Sequence, residues 1–193
     1  MRLLKKSEIP VDFDPNIYKR EDQLEVYGSK FWDGGILLVD SLQEKAEFYE
    51  IAAELSGVVK ELITSLNERV YIGACFCDGE SLYAHWRDMK EYPLFRNVSC
   101  EIKKNKCYEL SLPEDSDFMD MLIESNFQYL THVVFYLVGR KIVINPTCHT
   151  GIVIHGTQLD EVEEELKRIV KSYSDIVVWR TGDPPVPCKK DEK

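Results

Sequence analysis

The chain has 193 residues, of which 24 are Lys or Arg and 34 are Asp or Glu, so its formal net charge at pH 7 is −10. This balance argues against nucleic acid as the main partner, because a phosphate-binding surface needs an excess of basic side chains. With 44% hydrophobic and 30% charged residues, the composition is typical of a globular protein rather than a disordered or fibrous one. The length favours one domain.

The first residues do not match a secretory signal, because Lys5 and Lys6 are followed by acidic residues and not by an apolar stretch. The longest apolar stretch, Val133 to Val138, is far shorter than the ~20 residues that span a bilayer. We therefore expect a cytoplasmic protein that does not cross a membrane. In that compartment its six cysteines are expected to stay reduced.

Three regions are predicted along the chain. Residues 1–22 contain two prolines and mixed charge without regular periodicity, and we interpret them as an N-terminal arm on the surface. Residues 23–180 contain all the regular patterns and are predicted to form a single α+β domain. Residues 181–193 contain three prolines and a charged end, and we interpret them as a flexible C-terminal tail.

Two long amphipathic helices are predicted. The first follows Ser41, which together with Glu44 matches a capping box, and its apolar residues recur at three- and four-residue steps as far as Leu66. The second follows Thr157, which is expected to cap it, and has acidic residues early and basic residues late, as the helix dipole favours. Gly57 inside the first helix indicates close approach of a neighbouring strand.

A short helix and a set of strands complete the pattern. Pro113 suits the first turn of a short helix that ends near Ser125. Gly139 and Arg140 suit a type II′ turn between two strands, because glycine adopts the positive φ that this turn requires. Strands are predicted from short apolar or alternating runs. These runs are Leu24 to Tyr27, Ile36 to Val39, Val70 to Phe76, Val98 to Ile102, Cys107 to Leu112, His132 to Val138, Lys141 to Asn145, Gly151 to His155 and Asp175 to Arg180.

The grouping of these elements predicts the fold class. Strands that follow one another in hairpins favour antiparallel pairing, and helices that interrupt them must bury their apolar faces on the sheet. We therefore predict an α+β fold in which a mainly antiparallel sheet packs against two long amphipathic helices and one short helix.

Two sets of residues have ligand or nucleophile chemistry. Cys75 and Cys77 together with Cys148, His149 and His155 are zinc-ligand types, but their spacing matches no paired zinc-binding motif. Cys148 is also a candidate nucleophile for a thiol-dependent hydrolase. Because adjacent side chains usually point apart, its base is expected to be His85 or His132 rather than its neighbour in sequence.

A third set resembles the acidic residues and lysine of metal-dependent nucleases. Asp78, Glu101 and Lys103 would hold Mg²⁺ and position water in such a site. The same residue types are common at exposed strand edges, where charge discourages aggregation. No phosphate-binding glycine loop occurs in the sequence. We therefore assign no catalytic residue, no metal and no cofactor.

Aromatic and acidic residues alternate in the segments that have no regular pattern. Aromatic side chains anchor many protein interfaces, and carboxylates steer a basic partner toward them. The expected partner-binding residues are Trp32, Asp33, Asp78, Glu80, Tyr83, Trp86, Asp88, Glu91 and Tyr92.

The function hypothesis follows from charge and these side chains. We expect a non-catalytic, cytoplasmic protein-binding module whose partner has a basic surface, and specifically an acidic inhibitor of the immunity or antitoxin type. The alternative is a small metal-dependent hydrolase or nuclease, or a thiol-dependent hydrolase.

Overall fold

The computed structural model describes residues 1–13, 22–28, 42–75, 106–127, 132–147, 151–173 and 175–181. Within them the chain forms eight strands, three α-helices and one short 3₁₀ helix. The strands are β1 (Arg2–Leu3), β2 (Leu24–Gly28), β3 (Val70–Cys75), β4 (Lys106–Leu110), β5 (His132–Leu137), β6 (Ile142–Thr147), β7 (Gly151–Gly156) and β8 (Ile176–Arg180). The helices are α1 (Leu42–Leu66), α2 (Ser116–Phe127) and α3 (Leu159–Val170), with the 3₁₀ helix at Lys6–Glu8.

The eight strands form one sheet in the order β1-β4-β3-β5-β6-β7-β2-β8, and every described pair of neighbouring strands is antiparallel. Three helices accompany this sheet, so the predicted α+β class is confirmed. Helix α1 has 25 residues, whereas α2 and α3 have 12 each. The predicted strands at Ile36 to Val39 and Val98 to Ile102 lie outside the described residues.

All three helices pack on one face of the sheet. Alternate residues of the strands, such as Val133 and Phe135 in β5, join the apolar stripe of α1 in one continuous core. This alternation follows from the strand geometry, in which successive side chains point to opposite faces. Helix α1 contacts both α2 and α3, so it occupies the middle of the helical layer.

The N-terminal residues cover part of the second face of the sheet. Leu4 and Phe13 are buried there against Tyr71 and Tyr136, and the Phe13 and Tyr136 rings stack with their centres 5.1 Å apart. Strand β1 extends the sheet beside β4. Residues 1–13 of the predicted arm are thus packed against the sheet, and the division into arm, domain and tail stays a prediction.

The connection between β5 and β6 differs from the predicted type II′ turn. Leu137 pairs with Ile142, which leaves four residues in the turn, and the residue with positive φ is Lys141 (φ 53°). The carboxylate of Glu68 accepts a hydrogen bond from the Arg140 backbone N–H at 3.0 Å and lies directly against Gly139. A Cβ at Gly139 would lie 2.6 Å from this carboxylate, so a larger residue here would require Glu68 to move.

The predicted starts of α2 and α3 are also wrong. Helix α2 begins at Ser116, three residues after Pro113, which follows a cis peptide bond in the preceding turn. Helix α3 begins after Gln158, and the hydroxyl of Thr157 donates to the carbonyl oxygen of Arg140 instead of capping the helix. Side chains of this type bond whichever backbone group is nearest, so their role depends on tertiary neighbours.

Gly57 does allow a close approach, but the neighbour is a side chain and not a strand. A Cβ at this position would lie 2.5 Å from the Tyr173 hydroxyl oxygen. Tyr173 follows α3 and crosses α1 at this point, where its hydroxyl donates to Glu61 Oε1 at 2.9 Å. The glycine therefore lets the end of the α3 segment pack on α1.

Among the helices that the structure describes, none is both long enough and apolar enough to cross a bilayer.

Candidate functional site

The nine predicted partner-binding residues lie in residues 29–41 and 76–105, outside the described part of the chain. The structure does show where the chain enters these segments. The first follows Gly28 at the end of β2, and the second follows Cys75 at the end of β3. The register aligns these two strand ends with the starts of β7 and β5, so both segments leave from the same end of the sheet. With four strand spacings between them, the two exits are about 19 Å apart.

Two of the residues considered for zinc, Cys75 and His155, are far apart, and Cys77, Cys148 and His149 lie outside the described residues. Cys75 pairs with His132 at one end of the sheet, whereas His155 lies opposite Val143, three strands away from β3. Strand spacing and residue rise place the Cys75 and His155 Cα atoms about 19 Å apart. In the described residues no three His, Cys, Asp or Glu side chains converge on a common point.

The hydrolase alternatives rest mainly on residues that the structure does not describe. Asp78, Glu101 and Lys103 of the proposed Mg²⁺ site are among them, and so is Cys148. Burial lowers the pKa of His132, the proposed base, which keeps its imidazole neutral near pH 7. His132 begins β5 at the sheet end where β6 stops, one residue before Cys148. The thiol and imidazole pair stays a prediction.

Most of the negative charge is carried by the helical layer. The three helical segments contain thirteen acidic and four basic residues, a formal net charge of −9 out of −10 for the whole chain. The sheet and connecting segments are therefore almost neutral in sum. A partner that responds to the negative field of this protein would approach the helices.

Among the described residues, ion pairs involve every acidic residue of α3, whereas Glu50 on α1 and Asp117 on α2 have none. Every acidic residue of α3 pairs with a cation. Examples are Glu163 with Lys167 at 2.8 Å and Glu165 with Arg168 at 2.6 Å. On α1 and α2, eight acidic residues face two basic ones. Glu50 and Asp117 are exposed and form no ion pair with any described residue.

Glu54 shows the electrostatic consequence on α1. Its Oε2 is buried without a hydrogen-bond partner among the described residues. Burial raises the pKa of this carboxyl group above its usual value, and the negative charges of Asp175 and Glu50 raise it further. Among the described residues, the charges that shift the pKa of Glu54 are therefore negative ones, from Asp175 and Glu50.

An open groove of about 400 Å³ lies between α1 and α2, the two helices that carry Glu50 and Asp117. One wall is formed by α1 residues that are mostly small, and the other by one face of α2. Tyr49, with 47% of its surface exposed, stands at one end of the groove, and Lys60 at the other. The lining residues are Tyr49, Ala52, Ala53, Ser56, Gly57, Lys60, Asp120, Ile123, Glu124 and Phe127.

The two ends of the groove differ in chemistry. Tyr49 and Phe127 make one end of the groove aromatic. The carboxylate of Glu124 lies between this end and the opposite one. At that opposite end Lys60 forms an ion pair with Asp120 Oδ2. Asp120 Oδ1 is buried and accepts no hydrogen bond from the described residues. The groove thus combines an apolar anchor point with an acceptor for a cationic donor.

The aromatic end of the groove lies near the end of the sheet at which β2 and β3 end and β5 and β7 begin. Next to Phe127, Asn126 donates from Nδ2 to the Pro146 carbonyl at 2.7 Å and accepts from the Val133 N–H at 2.7 Å. These bonds fix the end of α2 to the beginning of β5 and the end of β6. The aromatic end of the groove is therefore at the same end of the sheet as Gly28 and Cys75, the last described residues before the predicted aromatic segments.

Sequence reasoning missed the groove, although two of its signals are visible in sequence. Helix α2 contains acidic residues and no basic one, and α1 has the small residues Ala52, Ala53, Ser56 and Gly57 on one side. Neither signal identifies a groove until α1 and α2 are known to be neighbours.

Comparison of the chain with protein-family models, with curated proteins and with solved structures gave no match. Its function is therefore argued from its own residues.

Proposed function

We propose that this protein is a non-catalytic, cytoplasmic binding module that attaches to a basic protein through the surface of α1 and α2, and that it is an inhibitor of the immunity or antitoxin type. Two observations carry this proposal: the exposed carboxylates of Glu50 and Asp117 on α1 and α2, which form no ion pair with a described residue, and the open groove between these two helices. They move the main contact from the predicted loop residues to the helical layer.

The physical basis is electrostatic steering combined with an apolar anchor. Exposed carboxylates such as Glu50 and Asp117 attract a basic surface without first having to break an ion pair with a described residue. Tyr49 offers an exposed ring at the groove, and aromatic side chains at the centre of an interface account for much of its binding energy. Charge then favours encounter, and the groove favours a stable complex.

The predicted loop residues are included as a second contact region. Trp32 and Asp33 belong to the segment after β2, and Tyr83 and Trp86 to the segment after β3. Since both segments leave the sheet on the side of the aromatic end of the groove, one partner would reach both regions.

Zero-length carbodiimide cross-linking in an extract of the native cells tests the proposal. This reagent joins carboxylates to lysine amines in direct contact, so the linked residues map the interface. We expect links from Glu50, Asp117 and Glu124 to lysines of a protein with a positive net charge. Links confined to α3 or to the sheet edge, or no link to another protein, would refute the proposal. An excess of salt is expected to reduce the links, because it screens the attraction.

A further inference from the structure

We infer that the occupant of the α1–α2 groove is an amphipathic helix of the partner, with apolar residues on one face and Lys or Arg on its flanks. This inference rests on the proposed function and adds the structure of the ligand.

The walls of the groove favour a helix over an extended segment. Both walls are helices, whose backbone N–H and C=O groups are satisfied internally. An extended peptide gains its affinity from backbone hydrogen bonds to a sheet edge, and such bonds are not available between two helices. A helical ligand satisfies its own backbone and presents only side chains to the groove.

The dimensions and the floor of the groove agree with this occupant. From Tyr49 to Lys60 the groove extends about 17 Å along α1, which corresponds to three turns of a second helix. Small side chains between them, Ala53 and Ser56 among others, permit the close approach that helix packing at 8–10 Å requires. Larger residues at these positions would fill the space.

The charges of the groove determine the composition of the ligand helix. An apolar side chain at the Tyr49 end would cover the exposed part of the Tyr49 ring. At the opposite end, the side chain of Asp120 is 37% exposed and would accept from a Lys or Arg of the ligand, and Glu124 adds negative charge between the two ends. Lys60 competes for Asp120, so its removal would favour a cationic ligand.

A synthetic peptide of about 14 residues tests the inference. It carries Leu at helical spacing on one face and Lys and Gln elsewhere, and the control peptide has the same composition in scrambled order. Isolated helices of this length are marginal in water, so binding in the groove should raise the helicity seen by circular dichroism. We expect the amphipathic peptide to bind at least about tenfold more tightly than the scrambled one, measured by fluorescence anisotropy.

Matched tryptophan variants locate the binding. Ala53→Trp fills the groove, whereas Gln43→Trp adds the same side chain on the exposed surface of α1 outside the groove lining. Because both positions are exposed, both variants should keep the fold, which thermal unfolding checks. We expect Ala53→Trp to weaken peptide binding by at least about tenfold and Gln43→Trp to leave it unchanged. Lys60→Met should strengthen it.

The outcomes separate this inference from the proposed function. If the amphipathic and scrambled peptides bind alike, or if Ala53→Trp binds the peptide like the unmodified protein, the helix inference is wrong. Cross-links from Glu50 and Asp117 to a basic protein would then still support the proposed function. If those cross-links are absent as well, both fail.

Discussion

Glu54 is the residue whose environment gives the clearest single-site prediction. Burial and the charges of Asp175 and Glu50 raise the pKa of its carboxyl group in the folded protein. The folded state therefore binds the proton more tightly than the unfolded state does. Stability from this group is fully present below its ordinary pKa of 4.5 and is lost as the pH rises through the raised value.

Replacing Glu54 by Gln should accordingly stabilise the protein at pH 7. A like-charge pair four residues apart on an exposed helix costs about 0.2–0.5 kcal/mol, and Glu50 stands in that relation to Glu54. We expect a melting temperature about 0.5–2 °C higher at pH 7 and no difference at pH 4. Glu164→Gln, on α3, is the control and should not stabilise. An equal gain at both pH values would contradict the assigned cause.

At the scale of elements, the packing of α1 against the end of α3 depends on Gly57. Alanine at this position improves helix propensity by up to about 1 kcal/mol, but its Cβ would lie 2.5 Å from the Tyr173 hydroxyl oxygen. The tyrosine must then move and give up its hydrogen bond to Glu61. When Gly57 is replaced by Ala and Tyr173 is present, the gain in helix propensity and the loss of this hydrogen bond oppose each other.

A double-mutant cycle separates these effects. In the Tyr173→Ala background, Gly57→Ala should raise the free energy of unfolding by about 0.5–1 kcal/mol, since only the helix-propensity gain remains. In the unmodified background the same change should be neutral or destabilising. Urea unfolding measures both. The same effect in the two backgrounds would mean that Tyr173 does not restrict this position.

Whether the sequence could predict an element depends on the interactions that determine that element. The strands and the helices α1 and α3 follow from side-chain burial, which imposes a period of two or 3.6 on the sequence itself. The turn at Gly139 and the start of α3 depend instead on partners far along the chain. Glu68 approaches the turn and the Arg140 carbonyl accepts from Thr157. A local pattern contains no information about such partners.

At the scale of the whole molecule, charge is distributed unequally over an ordinary antiparallel sheet and its helices. The net charge of −10 was visible in the sequence, but its location was not. The loop segments were expected to carry the binding surface and lie outside the described residues, and the exposed Glu50 and Asp117, which form no ion pair with a described residue, lie on α1 and α2. Pairing decides this difference, because the equally acidic α3 has Arg140, Lys167, Arg168 and Arg180 beside it.

Two charge-reversal variants with the same net charge test the central claim that location and not total charge governs binding. The first carries Glu50→Lys and Asp117→Lys, and the second Glu161→Lys and Glu164→Lys on α3. Both add the same positive charge at exposed positions, and thermal unfolding would confirm that both are folded.

The measurement is the association rate at low ionic strength with the basic protein that cross-linking identifies. We expect the α1–α2 variant to associate at least about tenfold more slowly than the unmodified protein and the α3 variant to stay within about threefold of it. Equal slowing of both variants, or a larger effect on α3, would contradict the central claim.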